Sequence, residues 1–489
     1  MMPRTATLGA LAAVVGFLAF VEFTSGVLQG YYTPMLSDIA RHLQIHDADV
    51  NWLEGTQLML SALVVPAFAK LGDMIGHKRM LLISTALTAA AALALPFTDS
   101  FWVFLVAWTL MGFYVVWLPL EIALIWSRSR RMEGRSVITA RAAGLLVAAL
   151  ETGAILGALV GGALIDVLPL TIVLLIPALL VVVCFFVILF GVKESPDQTG
   201  GVLDTVGLVL ISLALICFTG GLSLLRLDGG LVNPWSWVVV ALGLLLIVPF
   251  VLWELRHDDP LIDVRMFRSP ALGPVFLTAG LFGVSVLGAQ APLSTFSRTD
   301  PEVYGYGLGT TGFATSLIIG IYLIGMIVGA LLFPVIARVL TPRITLIGAS
   351  GFVAVGYLLF LPFHDAYLQV ITNMVIVGIG SGALVAALPA AAASAAPETQ
   401  TGVATGLTNS VKTVGGAIAS CVFGIALLHG VASAAGGAEG TAGSLEGYFT
   451  VWIVCGVTAL AAAVLLVFVP KQAFTDRTVA EAEQQPATM

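Results

Sequence analysis

Apolar runs long enough to cross a lipid bilayer follow one another along almost the whole chain. This repetition constrains the fold more than any other feature of the sequence, because a bilayer core about 30 Å thick requires roughly 20 apolar residues of helix. The runs between charged or Pro/Gly-rich breaks predict fourteen spans and hence an all-α polytopic membrane protein. We number them 1 to 14: 8–30, 51–69, 80–97, 102–126, 137–163, 168–191, 204–225, 236–254, 270–293, 311–333, 343–362, 367–388, 402–428 and 448–469.

The composition supports this interpretation and excludes several functional classes. Charged residues make up 10% of the chain, whereas soluble proteins carry about 25%. The net charge of −7 argues against nucleic acid as a partner. The four cysteines lie within apolar runs, without the spacing of a disulfide or a zinc site. With no Walker motif and no catalytic constellation, we expect no enzyme activity, no metal and no cofactor.

The distribution of Lys and Arg predicts the orientation of the spans, because basic loops stay in the cytoplasm. With the N-terminus placed inside, sixteen of the 21 basic residues fall in cytoplasmic segments, two lie within spans, and Arg41, Arg226 and Arg298 are external. A span missed early in the chain would reverse every later loop. We therefore predict fourteen spans in the plasma (inner) membrane, with both termini in the cytoplasm. Glu22 interrupts the first run, which we interpret as a retained span rather than a signal peptide.

The loop after span 2 carries a recognisable motif. Residues 69–79 read Ala-Lys-Leu-Gly-Asp-Met-Ile-Gly-His-Lys-Arg, with Gly72, Asp73, Gly76, Lys78 and Arg79 at the characteristic positions. The loop resembles the signature Gly-x-Leu-Ala-Asp-Arg-x-Gly-Arg-Lys of the major facilitator superfamily. A glycine permits a tight turn, and the aspartate can cap a helix or pair with a basic group across the bundle. We interpret the loop as a charge latch between conformations.

Span 5 contains a second motif, formed by Gly153, Gly157, Ala158, Gly161 and Gly162. It resembles the antiporter signature Gly-x-x-x-Gly-Pro-x-x-Gly-Gly, with Ala158 in place of Pro. This spacing places small residues along one helix face, where a neighbouring helix can approach closely. In the family this motif is associated with exporters.

Other segments resemble the fourteen-span drug:proton antiporter branch of the superfamily. They are Asp204–Gly207, Glu254–Arg256, Pro260–Asp263 and Gly402–Asn409, followed by Lys412 and Gly415–Gly416. The resemblance covers about 15–470. It implies a major facilitator fold of two six-helix bundles, 8–191 and 270–469, with a two-helix insertion at 204–254 and a cytoplasmic tail at 470–489. A monomer is expected.

Span 4 departs from the family at a position that bears on mechanism. Members of this branch normally present an Arg four residues before a Gly, and that Arg is linked to proton transfer. Here Trp108 occupies the position before Gly112. The acidic signature of span 1 is also incomplete, since Glu22 and Thr24 match its Asp-x-Thr but Pro34 comes three residues late. Proton coupling cannot simply be transferred from the family.

Ionisable residues within spans are costly, at least about 2.5–3.5 kcal/mol each at the centre, and therefore mark functional candidates. Glu22 and Glu151 are predicted at that depth, and we hypothesise that one of them carries the coupling proton. The alternative for each is a buried residue that holds helices together.

Four further residues are predicted to form a charge network or gate: Asp73, Glu121, Arg141 and Lys412. A Glu121–Arg141 pair is possible across the connection between spans 4 and 5. Lys412 could influence a facing carboxylate, attract an anionic substrate or pair within the bundle. Glu54, near the outer end of span 2, is expected to be solvated.

Aromatic and polar side chains of the spans are candidates for a substrate cavity, since large apolar pockets with few polar anchors suit lipophilic ligands. The principal candidates are Phe23, Trp108, Phe113, Trp117 and Gln290. Phe282 and Tyr322 belong to a wider group from which only a minority is expected to touch substrate.

The sequence as a whole predicts a secondary transporter that works by alternating access. It would export a lipophilic or amphipathic small molecule in exchange for protons. A facilitator or proton symporter for a small metabolite is the first alternative, and a non-transporting membrane sensor is the second. Short loops and the lack of a catalytic constellation argue against the sensor.

Overall fold

The computed structural model describes residues 4–129, 135–194, 203–227, 229–257, 259–396, 400–428 and 441–468. The predicted tail 470–489 lies outside them. Within these ranges every regular element is a helix, as expected where lipid offers backbone groups no hydrogen bonds. The prediction of an all-α membrane protein is confirmed.

The helices follow the predicted spans closely. Spans 1 to 6 are Arg4–Tyr31, Val50–Ile75, His77–Ala94, Phe101–Met111 with Trp117–Arg128, Arg135–Ile165 and Leu170–Gly191. Spans 7 and 8 are Thr205–Leu225 and Pro234–Glu254. Spans 9 to 14 are Gly273–Val286 with Gln290–Arg298, Gly312–Leu340, Pro342–Leu358, Tyr367–Ala395, Thr401–Leu428 and Leu445–Phe468. Short helices Leu36–His42 and Pro301–Tyr304 and five 3-10 turns, Thr33–Met35, Asp47–Asp49, Leu95–Phe97, Gly112–Val116 and Val264–Arg268, complete the described structure.

Thirteen helical segments of the described chain are long and apolar enough to cross a membrane. Span 11 is an apolar helix of only 17 residues, Pro342–Leu358. At 1.5 Å per residue it measures about 26 Å, slightly less than a typical hydrocarbon core. The count of fourteen therefore stays a prediction.

The first six and last six spans pack in the same pairwise pattern. Span 1 packs on span 5, span 2 on span 4, and span 3 on span 6. In the second set, span 9 packs on span 13, span 10 on span 12, and span 11 on span 14. We call these sets the first and second bundle. The most extensive contacts between them are those of span 2 with span 13 and span 5 with span 10, and these two contacts are equivalent under the same repeat.

Spans 7 and 8 form a hairpin that lies beside the junction of the bundles, against spans 2 and 13. We term the face with the turns after the odd-numbered spans the outer face, following the predicted orientation. There Arg226 of the hairpin forms an ion pair with Asp49 at 3.0 Å and covers the ring of Phe101 at 4.9 Å. Burial lowers the pKa of Arg226, and the Asp49 carboxylate opposes that shift. At the inner face, Asp204 accepts hydrogen bonds from the Gly207 amide and the Trp253 indole.

Spans 1 and 5 approach each other through glycines, as the span 5 motif predicts. A Cβ added to Gly153 would lie 2.1 Å from the Phe23 carbonyl oxygen, and one added to Gly161 would lie 2.3 Å from that of Tyr31. Gly26 and Gly30 of span 1 contact span 5 equally closely. Because lipid is as apolar as the helices, such close packing takes the place of the hydrophobic effect in holding spans together.

Replacing Gly161 by Ala should destabilise the protein. The added methyl group would collide with backbone rather than a movable side chain, and overpacking of this kind costs about 1–3 kcal/mol. We expect a lower thermal-unfolding midpoint for the purified protein in detergent. Gly144→Ala on the same helix is the matched control, since nothing lies within 4 Å of its new Cβ. Equal midpoints for the two variants would contradict the packing account.

Candidate functional site

The bundles are fastened to each other at the outer face. Arg298 at the end of span 9 donates to both carboxylate oxygens of Asp38, at 2.9 and 2.8 Å. Asp166 at the end of span 5 accepts hydrogen bonds from the amides of Gly312 and Phe313, at 2.8 and 2.9 Å. It thereby caps the first turn of span 10, where a carboxylate is favoured by the helix dipole. We call Asp38, Asp166 and Arg298 the outer clamp.

Sequence reasoning missed the outer clamp. Arg298 entered only as one of three external basic residues, and the two aspartates were not singled out. The signal available was an aspartate after the Gly161–Gly162 end of span 5 and an arginine ending span 9. Their partners lie 260 and 146 positions away along the chain, so local patterns could not pair them.

Further polar contacts between the two bundles lie near the outer face. They include the hydrogen bond of Ser294 to the Thr33 carbonyl and that of the Asp47 amide to the Thr441 carbonyl. Small residues pack there as well, since a Cβ on Gly162 would meet the backbone of span 10 at 2.4 Å. The two bundles are thus in direct contact at the outer face.

The loop after span 2 is attached to its own bundle. The Glu194 carboxylate, just after span 6, accepts from the amides of Lys78 at 2.9 Å and Arg79 at 3.2 Å. The Lys78 ammonium donates to a carbonyl of span 6 at 2.8 Å. Asp73 pairs with His77, one turn further on, at 3.2 Å. In this conformation the predicted latch connects spans 2, 3 and 6, and Glu194 is a partner that the motif alone did not indicate.

Glycines shape this loop in two ways. Gly76 adopts φ +114° between spans 2 and 3, a backbone conformation that residues other than glycine rarely adopt. A Cβ on Gly76 would also meet the Glu194 carboxylate at 2.6 Å. Gly72 faces Leu120 of span 4, 2.8 Å from its added Cβ. The motif glycines therefore let the loop fit against the first bundle.

Glu22 of span 1 and Glu121 of span 4 face each other inside the first bundle, and both are fully buried. Their carboxyl groups interact electrostatically with each other, and neither has a hydrogen-bond partner among the described residues. We call Glu22 and Glu121 the acid pair.

The acid pair has few polar neighbours. Cys184 of span 6 lies beside it and next to Thr24 of span 1, and both are themselves buried. Two carboxylates in such surroundings cannot both be charged, because desolvation and mutual repulsion oppose the second charge. The pair must therefore hold at least one proton for as long as it stays buried, and it can release that proton only when water reaches it.

The structure does not pair Glu121 with Arg141. Glu121 is buried against Glu22, whereas Arg141 is exposed near the inner end of span 5. The predicted pair does not form because the Glu121 side chain points into the first bundle. Closeness of the two residues across the loop between spans 4 and 5 does not determine the direction of that side chain.

Glu151 and Lys412 lie on opposite bundles, on spans 5 and 13, and interact electrostatically. The ion pairs of 4 Å or less among the described residues do not include them. Tyr322 of span 10 also interacts with Glu151. Both charged side chains are half-buried. A cavity of about 20 Å³ beside Lys412 has a mixed lining that includes Phe282, Leu384, Leu388 and Asn409.

Three of the five predicted cavity residues pack inside the first bundle. Trp108 and Trp117 are fully buried in the core of the first bundle; Trp108 contacts the ring of Tyr32 at 5.1 Å. Phe113 packs on Phe68. Their burial reflects packing within one bundle, which aromatic composition alone does not distinguish from a cavity wall.

The remaining candidates lie at less enclosed positions. Phe23 is half-buried on span 1. Gln290 begins the second helix of span 9 and donates to the Val286 carbonyl at 3.1 Å. Glu54 is half-buried near Tyr114, so it is less solvated than expected.

Removing the Asp166 carboxylate should open the outer side. The loss of hydrogen bonds to a charged group costs about 1.5–3 kcal/mol, enough to raise an open population about ten-fold or more. Ala291, buried at the bundle contact, provides a reporter as Ala291→Cys. We expect Asp166→Ala to accelerate maleimide labelling of this cysteine in detergent.

The exposed Asp365 of the same face is a matched control, because its ion pair is with the adjacent His364. Asp365→Ala should leave the labelling rate unchanged, and the protein without the added cysteine gives the background. An unchanged rate in Asp166→Ala would show that the outer clamp does not hold this face closed.

Comparison with known proteins places this arrangement in a family. The model of the Major Facilitator Superfamily matches residues 18–420. The cephamycin export protein CmcT of Amycolatopsis lactamdurans is 26% identical over 94% of this chain and 91% of its own length. The multidrug efflux pump LfrA of Mycolicibacterium smegmatis is 27% identical over 70% of this chain and 68% of its own.

A solved structure shows the same fold. The crystal structure of the nucleoside transporter NupG superposes with a TM-score of 0.64 at 13% identity, covering 94% of this chain and 98% of that one. The predicted family and fold class are confirmed, apart from the count of fourteen spans. The chain belongs to the major facilitator superfamily and is a multi-pass membrane transporter.

Proposed function

We propose that the protein exports lipophilic or amphipathic small molecules across the plasma membrane by proton antiport with alternating access. The observation that carries the proposal is the acid pair, since a buried pair of carboxyl groups that needs one proton is a proton-binding site within a transporter fold. The functions of similar proteins, cephamycin export and multidrug efflux, support export as the direction.

The two moving units in this proposal are the bundles 8–191 and 270–469. In this proposal the described conformation, in which the outer clamp joins the bundles, is the inward-facing state. Opening to the outside would break the Arg298–Asp38 pair and the Asp166 cap. The hairpin 204–254 lies beside the bundle junction, where it moves with the bundles without lining the substrate path.

The acid pair also explains how coupling proceeds without the usual arginine of span 4. Trp108 stands at that position but packs with Tyr32 and Phe104. Glu22 instead has Glu121 as its partner on span 4. Of the two carboxylates predicted to carry the proton, Glu22 is therefore the one we assign, and Glu151 is left to the interface between the bundles.

A facilitator or proton symporter for a small metabolite is the alternative, and the Trp108 substitution is the observation that favours it. The two functions differ in the direction of coupled flow. Under antiport, an imposed pH gradient moves substrate opposite to the proton; under symport both move together, and a facilitator does not respond.

Replacing either member of the acid pair by glutamine should uncouple transport. Glutamine keeps the shape of the side chain but cannot exchange a proton. In proteoliposomes, we expect Glu22→Gln and Glu121→Gln each to abolish pH-gradient-driven movement of labelled efflux substrates such as ethidium, while substrate–substrate exchange without a gradient continues.

Glu302→Gln is the control, since this residue is exposed on the outer face and should retain gradient-driven transport. Intact coupling in both acid-pair variants would overturn the assignment. Loss of exchange as well as coupling would indicate a role in folding or substrate binding instead.

The orientation is a separate proposal, with both termini in the cytoplasm and the outer clamp outside. A tag inserted beside Glu302 should react with antibody on intact cells, whereas tags at the two termini should react only after permeabilisation. The reverse pattern would contradict the orientation, and the face named outer here would then lie in the cytoplasm.

A further inference from the structure

We propose that the transported compound carries an acidic group, a carboxylate or a related anion, and that Lys412 binds it. This inference rests on the proposed transport function and names the class of substrate. It assigns to Lys412 a substrate-binding role, distinct from the proton-carrying role of the acid pair.

Lys412 is suited to this role by its position and by the lack of a direct partner. It lies within span 13 and borders the small cavity between spans 9, 12 and 13. Its ammonium group forms no ion pair within 4 Å among the described residues, although Glu151 across the bundle junction interacts with it at longer range. An ammonium in low-dielectric surroundings gains most from a direct, hydrogen-bonded anion.

Neutral hydrogen-bond donors accompany the lysine in the second bundle. Tyr322, which like Lys412 faces Glu151, is 6% exposed, and its hydroxyl lies beside that of Ser381. Neither hydroxyl has a hydrogen-bond partner in the described part of the chain, and the Thr278 hydroxyl on span 9 is buried without one. A buried donor without an acceptor is costly, and a bound carboxylate would supply acceptors.

The first bundle contributes charges of the opposite sign. The carboxyl groups of Glu22 and Glu121 are fully buried, so they are not exposed to a ligand in this conformation. Glu151 and Glu54 are half-buried. An anion bound at Lys412 would replace the long-range interaction with Glu151 by a direct one, and it would do so at the junction that must rearrange when the bundles move.

The test compares acids with their uncharged esters. The probes are cephalothin and naproxen, each with its methyl ester, and the cation tetraphenylphosphonium. Binding is measured as the rise in thermal-unfolding midpoint of the purified protein, because a ligand stabilises the state that it binds. Transport of the same compounds is measured in proteoliposomes with a pH gradient.

We expect the wild type to prefer at least one acid over its ester by about ten-fold, which corresponds to about 1.4 kcal/mol. Lys412→Gln should reduce this preference to near unity, and Lys412→Arg should retain it. A thermal-unfolding midpoint of ligand-free Lys412→Gln close to that of the wild type verifies that the variant folds.

Two results would overturn the inference. If the wild type favours the esters or tetraphenylphosphonium, or if Lys412→Gln keeps the preference for the acid, Lys412 does not select an acidic group, and the proposed export function stands. If the pH gradient moves none of the five compounds in the wild type, both the inference and the proposed function fail.

Discussion

Two carboxyl groups enclosed together in a low-dielectric interior cannot both be charged, and the mechanism proposed for this transporter depends on that constraint. Glu22 and Glu121 come from spans 1 and 4 and are sealed within the first bundle. At least one of the two groups stays protonated for as long as the pair is buried, because desolvation and mutual repulsion oppose a second charge. Any movement that admits water to the pair changes its affinity for the proton. Conversely, loss of the proton changes the free energy of the conformation in which the pair is buried. Proton binding and helix packing are therefore linked through a single contact.

Other contacts connect the acid pair to the junction of the two bundles, where the movement proposed for alternating access takes place. Glycine contacts hold span 1 against span 5, so a change at Glu22 reaches the bundle junction through a closely packed pair of helices. Span 5 ends in Asp166, which caps span 10 of the other bundle, and also carries Glu151, which faces Lys412. Span 5 thus packs on the proton-bearing span 1 and ends at a residue of the outer clamp. Through Glu151 it also interacts at longer range with the proposed anion site. The loop after span 2, at the inner side, is held by Glu194 within its own bundle, so this contact does not oppose separation of the bundles there.

Sequence reasoning predicted the features that depend on composition and local spacing. Apolar length located the spans, and the small-residue period of span 5 indicated its packing face, which the contacts of Gly153 and Gly161 confirm. It also selected Glu22 for its depth. It could not find the partner of Glu22, because Glu121 lies 99 positions later in the chain and its direction depends on how span 4 is rotated. The same limit applies to the outer clamp. Trp108 and Trp117 were assigned to a cavity because aromatic side chains serve both walls and cores, and only packing separates the two.

The most direct test of the account measures the inner opening as a function of pH. Spin labels at Leu145 of span 5 and Val339 of span 10, both exposed, report that opening by pulsed electron resonance in lipid nanodiscs. If the buried acid pair requires a proton, the inward-facing state should be populated at acidic pH, and the distance between the labels should shorten as the pH rises. Glu22→Gln should remove this pH dependence. A distance distribution that ignores pH, or one that responds equally in Glu22→Gln, would contradict the central claim.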